Sequence, residues 1–149
     1  MTSSYLPIML DITNRRLLLI GGGRVAFQKI QTLQKFTNQI TVLAAQISPP
    51  VRASGCCCVE KHYEAADLTG YDLIYACTAD RELYRCIAAD ATVVHKLINV
   101  VDDRELSDFI SPAVYKRAEM IVAVSSSGTA VRKAVAWRDK IAGWLSDEL

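Results

Sequence analysis

Short blocks of continuous apolar residues alternate along this chain with longer stretches in which apolar positions recur every three or four residues. After Arg15-Arg16, the run Leu17-Leu18-Leu19-Ile20 is apolar at every position, which predicts a strand buried on both faces. Val25 to Phe36 places Val25, Ile30, Leu33 and Phe36 at helical spacing. Gln39 to Ala44 reads as a second strand and completes a compact strand-helix-strand unit. Pro49 and Pro50 are expected to end any helix that begins near Ile47, and Cys57 to Lys61 supplies a short third strand. A fourth strand is predicted over Asp72 to Cys77, a helix over Arg81 to Thr92 with Leu83, Ile87 and Ala88 on one side, and a fifth strand over Lys96 to Val101. Strands that alternate with helices in this way predict an α/β fold built on a doubly wound parallel sheet.

The pattern changes near residue 112. Pro112 to Arg117 and Met120 to Ser125 read as two strands joined at Ala118-Glu119, too close for a crossover and therefore a hairpin. Ser125 to Gly128 forms a polar turn, with Thr129 expected as the N-cap of a helix from Ala130 to about Ser146. On that helix Ala134, Trp137, Ile141, Trp144 and Leu145 make an apolar stripe. Two tryptophans on so short an element are expected to be covered, either by the chain's own sheet or by a partner subunit, with the partner favoured. The expected organisation is a nucleotide-binding domain over 1–111 and a dimerisation segment, hairpin plus terminal helix, over 112–149.

Candidate chemistry enters at the first strand-to-helix turn, where Gly21, Gly23 and Ala26 match G-x-G-x-x-A. Gly21 permits the tight turn, Gly23 lets backbone approach a pyrophosphate, and Ala26 lets the helix lie close to the strand. The helix N-terminus then offers free N–H groups and a positive dipole end to the anion. The sheet is thus expected to be Rossmann-like, with ligands collecting beyond the carboxyl ends of its strands. That rule selects the glycine turn, Ala44 to Gln46, Cys77 to Asp80, and Asn99 to Asp103. Thr78 and Asp80 are placed to hydrogen-bond a ribose or nicotinamide, although Asp80 equally suits a helix cap. The second strand ends Ala44-Ala45-Gln46, without the acidic residue that takes a ribose 2′-hydroxyl. This leaves NAD and NADP both open, and the absence of an Arg/Lys cluster there tilts the balance to NAD. Asp102 and Asp103 close the fifth strand, where one carboxylate can serve as a base or both can belong to a solvated turn.

Composition narrows the classes. With 149 residues, 51% of them hydrophobic, the chain can bury a core. A formal net charge of +1 argues against a nucleic-acid partner held by phosphate neutralisation. No apolar run approaches the roughly 18 residues of a membrane span, and Met1-Thr2-Ser3-Ser4-Tyr5 lacks a signal-peptide layout. Cys56, Cys57, Cys58, Cys77 and Cys86 are odd in number and have no C-x-x-C spacing. They read as reduced thiols of a cytoplasmic protein rather than as a disulfide framework or metal site, and His62 and His95 have no partner at ligand spacing.

Taken together, several further segments carry a family resemblance: Leu6-Pro7-Ile8, Gly21 to Ala26 with Lys29, Thr78 with Asp80, Asn99-Val100-Val101-Asp102, Asp108-Phe109-Ile110 with Pro112-Ala113, and Val122 to Ser126 with Gly128-Thr129. In order and spacing these resemble the precorrin-2 dehydrogenases of siroheme synthesis, some of which also insert iron into sirohydrochlorin. The resemblance implies NAD-dependent oxidation of precorrin-2 to sirohydrochlorin by a homodimer. It implies Asp102 as the catalytic aspartate, with Gly21, Gly23, Arg24, Val25, Ala45, Gln46, Thr78 and Asn99 on or beside cofactor contacts. Departures from the family pattern fall at Ala79, Tyr84 and Ala130-Val131. The chain ends at Leu149, short of the helical portion of longer relatives, so dehydrogenation rather than metal insertion is the expected activity. The alternatives are a non-catalytic tetrapyrrole- or nucleotide-binding subunit, and a sirohydrochlorin chelatase.

Overall fold

A computed structural model describes residues 3–147. Its order is β1 (Leu17–Ile20), α1 (Arg24–Leu33), β2 (Ile40–Ala44), α2 (Pro49–Arg52), β3 (Cys57–Glu60), β4 (Leu73–Ala76), α3 (Arg81–Val93), β5 (Leu97–Val100), β6 (Ala113–Arg117), β7 (Met120–Val124) and α4 (Val131–Asp147). A single 3-10 turn over Ala65–Leu68 lies between β3 and β4. The chain divides into two compact units, one over Met9–Phe109 and one that groups the residues up to Ile8 with those from Ile110 onward.

The larger unit is a five-stranded, all-parallel sheet in the order β3-β2-β1-β4-β5. This is the Rossmann-like arrangement expected from the alternation, with the order reversing between β1 and β4. Leu17 to Ile20 are each 2% exposed or less, because β1 is central and carries helices on both faces. On one face Leu17, Leu19, Val42 and Tyr75 pack with Ala26 and Ile30 of α1. On the other, Leu18, Ile20, Ile74 and Val100 pack with Ile87, Ala88 and Ala91 of α3. Each continuous apolar run is thus split between two separate cores by the alternation of a strand. The β3 edge is mostly exposed, and the five cysteines are all free thiols.

Two local expectations are corrected. Pro49 and Pro50 do not terminate a helix; they begin one, occupying its first positions with Ser48 before them. Proline lacks only an N–H that the first turn would leave unpaired anyway, and its fixed φ suits a helix start. Thr129 is likewise not the N-cap of α4. Its hydroxyl donates back to the Ser126 carbonyl at 2.6 Å, Ser126 Oγ accepts from the Ala130 N–H, and the Ala130 carbonyl accepts from Lys133 and Ala134. A serine that bonds four residues ahead has displaced the expected threonine.

In the smaller unit, β6 and β7 form the expected antiparallel hairpin, with Arg117 opposite Met120 and Ala118 in left-handed backbone at φ 48°. Helix α4 packs on this hairpin, with Ala134 buried and Arg138 Nη1 donating to the Val114 carbonyl at 3.3 Å. The tryptophans are not covered by their own sheet: Trp137 is 56% and Trp144 63% exposed.

At the head of α3, Asp80 Oδ1 accepts from the N–H groups of Glu82 and Leu83. Asp80→Ala is expected to cost about 1 kcal/mol, read as a lowered urea midpoint at unchanged m-value.

Candidate functional site

Because all five strands run the same way, every loop that follows a strand emerges at one edge of the sheet. The register makes Ile20, Leu43, Ala76 and Val100 neighbours across β2, β1, β4 and β5. Gly21 to Val25, Ala45 and Gln46, Thr78 and Asp80, and the turn containing Asp102 are therefore gathered along that edge. Asn99 lies one residue inside it.

The glycine turn is fixed by the loops on either side. Gly21 has φ +131°, and a Cβ there would stand 2.4 Å from the Cys77 carbonyl oxygen. A Cβ on Gly22 would stand 2.4 Å from the carbonyl oxygen of Gln46. Hydrogen bonds join the same segments, from Cys77 N–H to the Ile20 carbonyl at 2.8 Å and from Ser48 N–H to the Gly22 carbonyl at 2.9 Å. Gly23 differs, since a Cβ on it would meet nothing within 4 Å. It is the residue before α1, with no side-chain cap on the helix. The first-turn N–H groups of α1 thus receive no side-chain cap. Gly22 was not among the sequence-predicted positions; its need for glycine comes from the loop after β2, a neighbour that a local motif cannot reveal.

Around this turn Arg24, Ala45 and Gln46 are exposed and Val25 is half-buried. Thr78 Oγ1 accepts from the Asp80 N–H at 3.2 Å, and Asp80 in turn caps α3. The structure thus gives Asp80 the capping task through Oδ1.

Asn99 is the buried polar group of the site. Only 5% exposed, it donates from Nδ2 to the Phe109 carbonyl at 2.9 Å, and its Oδ1 is buried with no hydrogen-bond partner. A buried acceptor left unmade costs about 1–3 kcal/mol, a deficit that a ligand amide can relieve.

The two acids that follow β5 have different surroundings. Asp103 Oδ1 accepts from the N–H groups of Glu105 and Leu106, so this carboxylate is spent on its own turn. Asp102 is exposed and holds left-handed backbone at φ 64°, a conformation that acidic side chains tolerate better than most at a small energetic cost. Asp103 is thus engaged by its own turn, while Asp102 stands exposed after the end of β5.

Burial keeps several titratable side chains near this edge neutral. Burial pushes the Cys77 thiol up to about 12, against a smaller opposing effect of Lys29. Burial also raises the Tyr84 phenol to about 12, with Cys77, Asp102 and Asp103 adding to it. The Tyr75 phenol is raised by burial and then by Cys77; its ring meets Phe109 edge-on at 5.5 Å. Among the described residues no group of three or more His, Cys, Asp or Glu side chains is placed to hold a metal ion, and no helix is long and apolar enough to cross a membrane.

Residues 8–113 match the family model NAD_binding_7, described as "Putative NAD(P)-binding". The chain is similar to siroheme synthase of Sodalis glossinidius (strain morsitans), at 38% identity over 92% of this chain and 30% of that one. It is similar to siroheme synthase of Pseudomonas fluorescens (strain Pf0-1), at 37% identity over 95% of this chain and 31% of the other. The chain therefore spans about a third of the length of the curated relatives it matches. Among solved structures, "SirC, precorrin-2 dehydrogenase" aligns with a TM-score of 0.75 and 21% identity, covering 97% of this chain and 71% of that one; this likeness shows a shared fold.

Two measurements test the geometry of the edge. Gly21→Ala is expected to destabilise the protein by about 1–3 kcal/mol through overpacking, whereas Gly23→Ala keeps the urea midpoint and loses dinucleotide affinity in calorimetric titration. At pH 8, alkylation followed by mass spectrometry is expected to label exposed Cys57 and Cys86 rapidly and Cys77 only as the protein unfolds, because a buried, protonated thiol is a poor nucleophile.

Proposed function

We propose that this chain, which belongs to the NAD_binding_7 family, oxidises precorrin-2 to sirohydrochlorin with NAD⁺ as hydride acceptor. The single observation that carries the reading is Asp102, an exposed acid in left-handed backbone after the carboxyl end of β5, while its neighbour Asp103 is spent on local hydrogen bonds. Support for the substrate comes from the precorrin-2 dehydrogenase that shares the fold and from the siroheme synthases that align with nearly the whole chain.

Two observations fit the cofactor: the open space at Gly23 before an uncapped helix start, and the orphaned Oδ1 of Asn99. Gly21, Gly23, Arg24 and Val25 form the diphosphate end, Ala45 and Gln46 flank the adenosine ribose, and Thr78, Asp80 and Asn99 line the nicotinamide end. With no acid or cluster of cations at Ala44-Ala45-Gln46, the preferred form is NAD. When bound, the cofactor takes up a hydride.

The protein's own part is positional and acid-base. Oxidation of precorrin-2 removes a hydride and a proton, giving sirohydrochlorin, NADH and H⁺. Asp102 accepts the proton or orients the macrocycle so that the hydride leaves toward the nicotinamide. Cys77 and Tyr84, both held protonated, do not compete for it. The hairpin and terminal helix, 112–149, serve as the dimerisation segment, with Trp137 and Trp144 as anchors for a second copy, and the assembly works in the cytoplasm.

Anaerobic mixing of the protein with precorrin-2 and NAD⁺ is expected to generate NADH absorbance together with the sirohydrochlorin spectrum. Asp102→Ala is expected to lower turnover by on the order of 100-fold or more while circular dichroism and the urea midpoint hold. Wild-type turnover in that variant would remove the proposed role, and tetrapyrrole binding without any NADH would favour a binding subunit. Adding Fe²⁺ in a separate arm without NAD⁺ reads out metal insertion by itself.

A further inference from the structure

Strand β5 is an outer strand of the sheet, and an edge strand leaves a row of N–H and C=O groups without a strand partner. The loop that follows β5 folds back and answers that row with two side chains. Asp108 accepts from the Ile98 N–H at 3.0 Å through Oδ2 and donates its own N–H to the Ile98 carbonyl at 2.8 Å. Two residues further along the strand, Ser107 Oγ accepts from the Val100 N–H at 2.8 Å. Val100 is 2% exposed, and a buried N–H needs a partner.

The serine does more than close the edge. Its Oγ also stands 2.7 Å from the Asp103 carbonyl oxygen and 3.1 Å from that of Val100. A hydroxyl has one proton to give, and Asp103 offers the shorter bond. The Asp103 N–H in turn donates to the Val100 carbonyl at 3.2 Å. Val100 to Asp103 is thus a four-residue turn whose first and last residues are bridged by the serine hydroxyl. Asp102 is the third residue of this turn, at φ 64°, where glycine or asparagine is the favoured occupant. Val101 before it is held from the sheet, its N–H donating to the Ala76 carbonyl at 3.0 Å. Both chain neighbours of Asp102 are therefore fixed, and the left-handed backbone is imposed on it by its surroundings. Relaxation to an extended backbone would turn its Cβ to another side of the chain.

We propose that Ser107 is a positioning residue of the reaction: its hydroxyl, set between Val100 and Asp103, locks the turn that carries Asp102 and so fixes the direction in which that carboxylate leaves the backbone. This deepens the reading of Asp102 given above and rests on it for the consequence in turnover. The grip on the turn belongs to the folded chain whatever the reaction. Ser107 acts through Asp102 and is not assigned contact with cofactor or substrate.

The grip is tested first on the ligand-free full chain by NMR, where a residue at positive φ gives a strong nuclear Overhauser effect between its own N–H and Hα. Asp102 is expected to show this signal in the wild type and to lose much of it in Ser107→Ala. Ser107 lines an open cleft of about 350 Å³ with Arg85, Ala88, Thr92 and Leu106, so Ser107→Thr has room for its methyl group and is expected to keep the signal. In turnover, Ser107→Ala is expected to lower kcat by about tenfold or more with KM for precorrin-2 and NADH affinity held within about threefold, and Ser107→Thr to recover most of the loss. Asp108→Ala is the control, because it removes a bond of the same kind from the same loop but outside the turn, and its kcat is expected to stay near the wild-type level. An unchanged Asp102 signal in Ser107→Ala, wild-type kcat in that variant, or an equal loss of kcat in Ser107→Ala and Asp108→Ala overturns the proposal. If the wild-type protein does not oxidise precorrin-2, the functional reading falls, and the Asp102 signal still decides whether Ser107 sets the turn.

Discussion

The molecule depends on how closely three pieces of backbone meet beyond the middle of the parallel sheet. The turn after β1 passes between the loops that follow β2 and β4, leaving no room for a methyl group at Gly21 or Gly22. Neighbouring strands lie about 4.8 Å apart, so a chain that leaves the central one can clear both neighbours only as bare peptide. This close passage brings the start of α1 to the point where strand order reverses, where a ligand can enter between the loops on either side. It also sets the rotation of α1. Ala26 and Ile30 are thereby sealed against the core, and Lys29 is brought over Tyr75.

The polar groups of this edge divide into those that hold the fold and those left for a ligand. Asp80 caps α3 and Asp103 closes its own turn, while at the opposite, amino-terminal edge Asp72 ties the start of β4 to the start of β1 by accepting from the Arg16 N–H at 2.9 Å and from Arg15 at 3.1 Å. The Arg16 backbone bond holds the Asp72 carboxyl below the usual carboxylate range, against some desolvation, with Arg15 adding to the effect. Asn99 Oδ1 has no partner, and Asp102 faces solvent in a backbone conformation with a modest cost. A site that keeps an acceptor unsatisfied and an acid in left-handed backbone gives up stability that binding can return.

The smaller unit follows a different logic. Its hairpin is only two strands wide and is stabilised by the helix packed on it, through Ala134 and the bond from Arg138 to Val114. The apolar stripe read along α4 splits in the structure, with Ala134 buried, Ile141 and Leu145 half-buried, and both tryptophans exposed. A helix wheel assigns one apolar face, but a two-stranded partner is too narrow to cover it.

By itself the sequence determined the element order, the parallel sheet and the glycine turn, because continuous apolar runs, 3.6-residue spacing and glycine are properties of neighbouring residues. It also placed Asn99 and Asp102 at the end of a strand, and so at the ligand edge. The tertiary structure decided what depended on residues far apart in the chain. Gly22 is required by Gln46, and Lys29 is brought over the ring of Tyr75. That Asp103 bonds within its own turn and Asp80 caps α3 turned on which backbone N–H groups came within reach. The start of α2 at its prolines and the displacement of Thr129 by Ser126 have the same cause. Several residue types satisfy a cap or a turn about equally well, and the geometry of the surrounding chain selects among them.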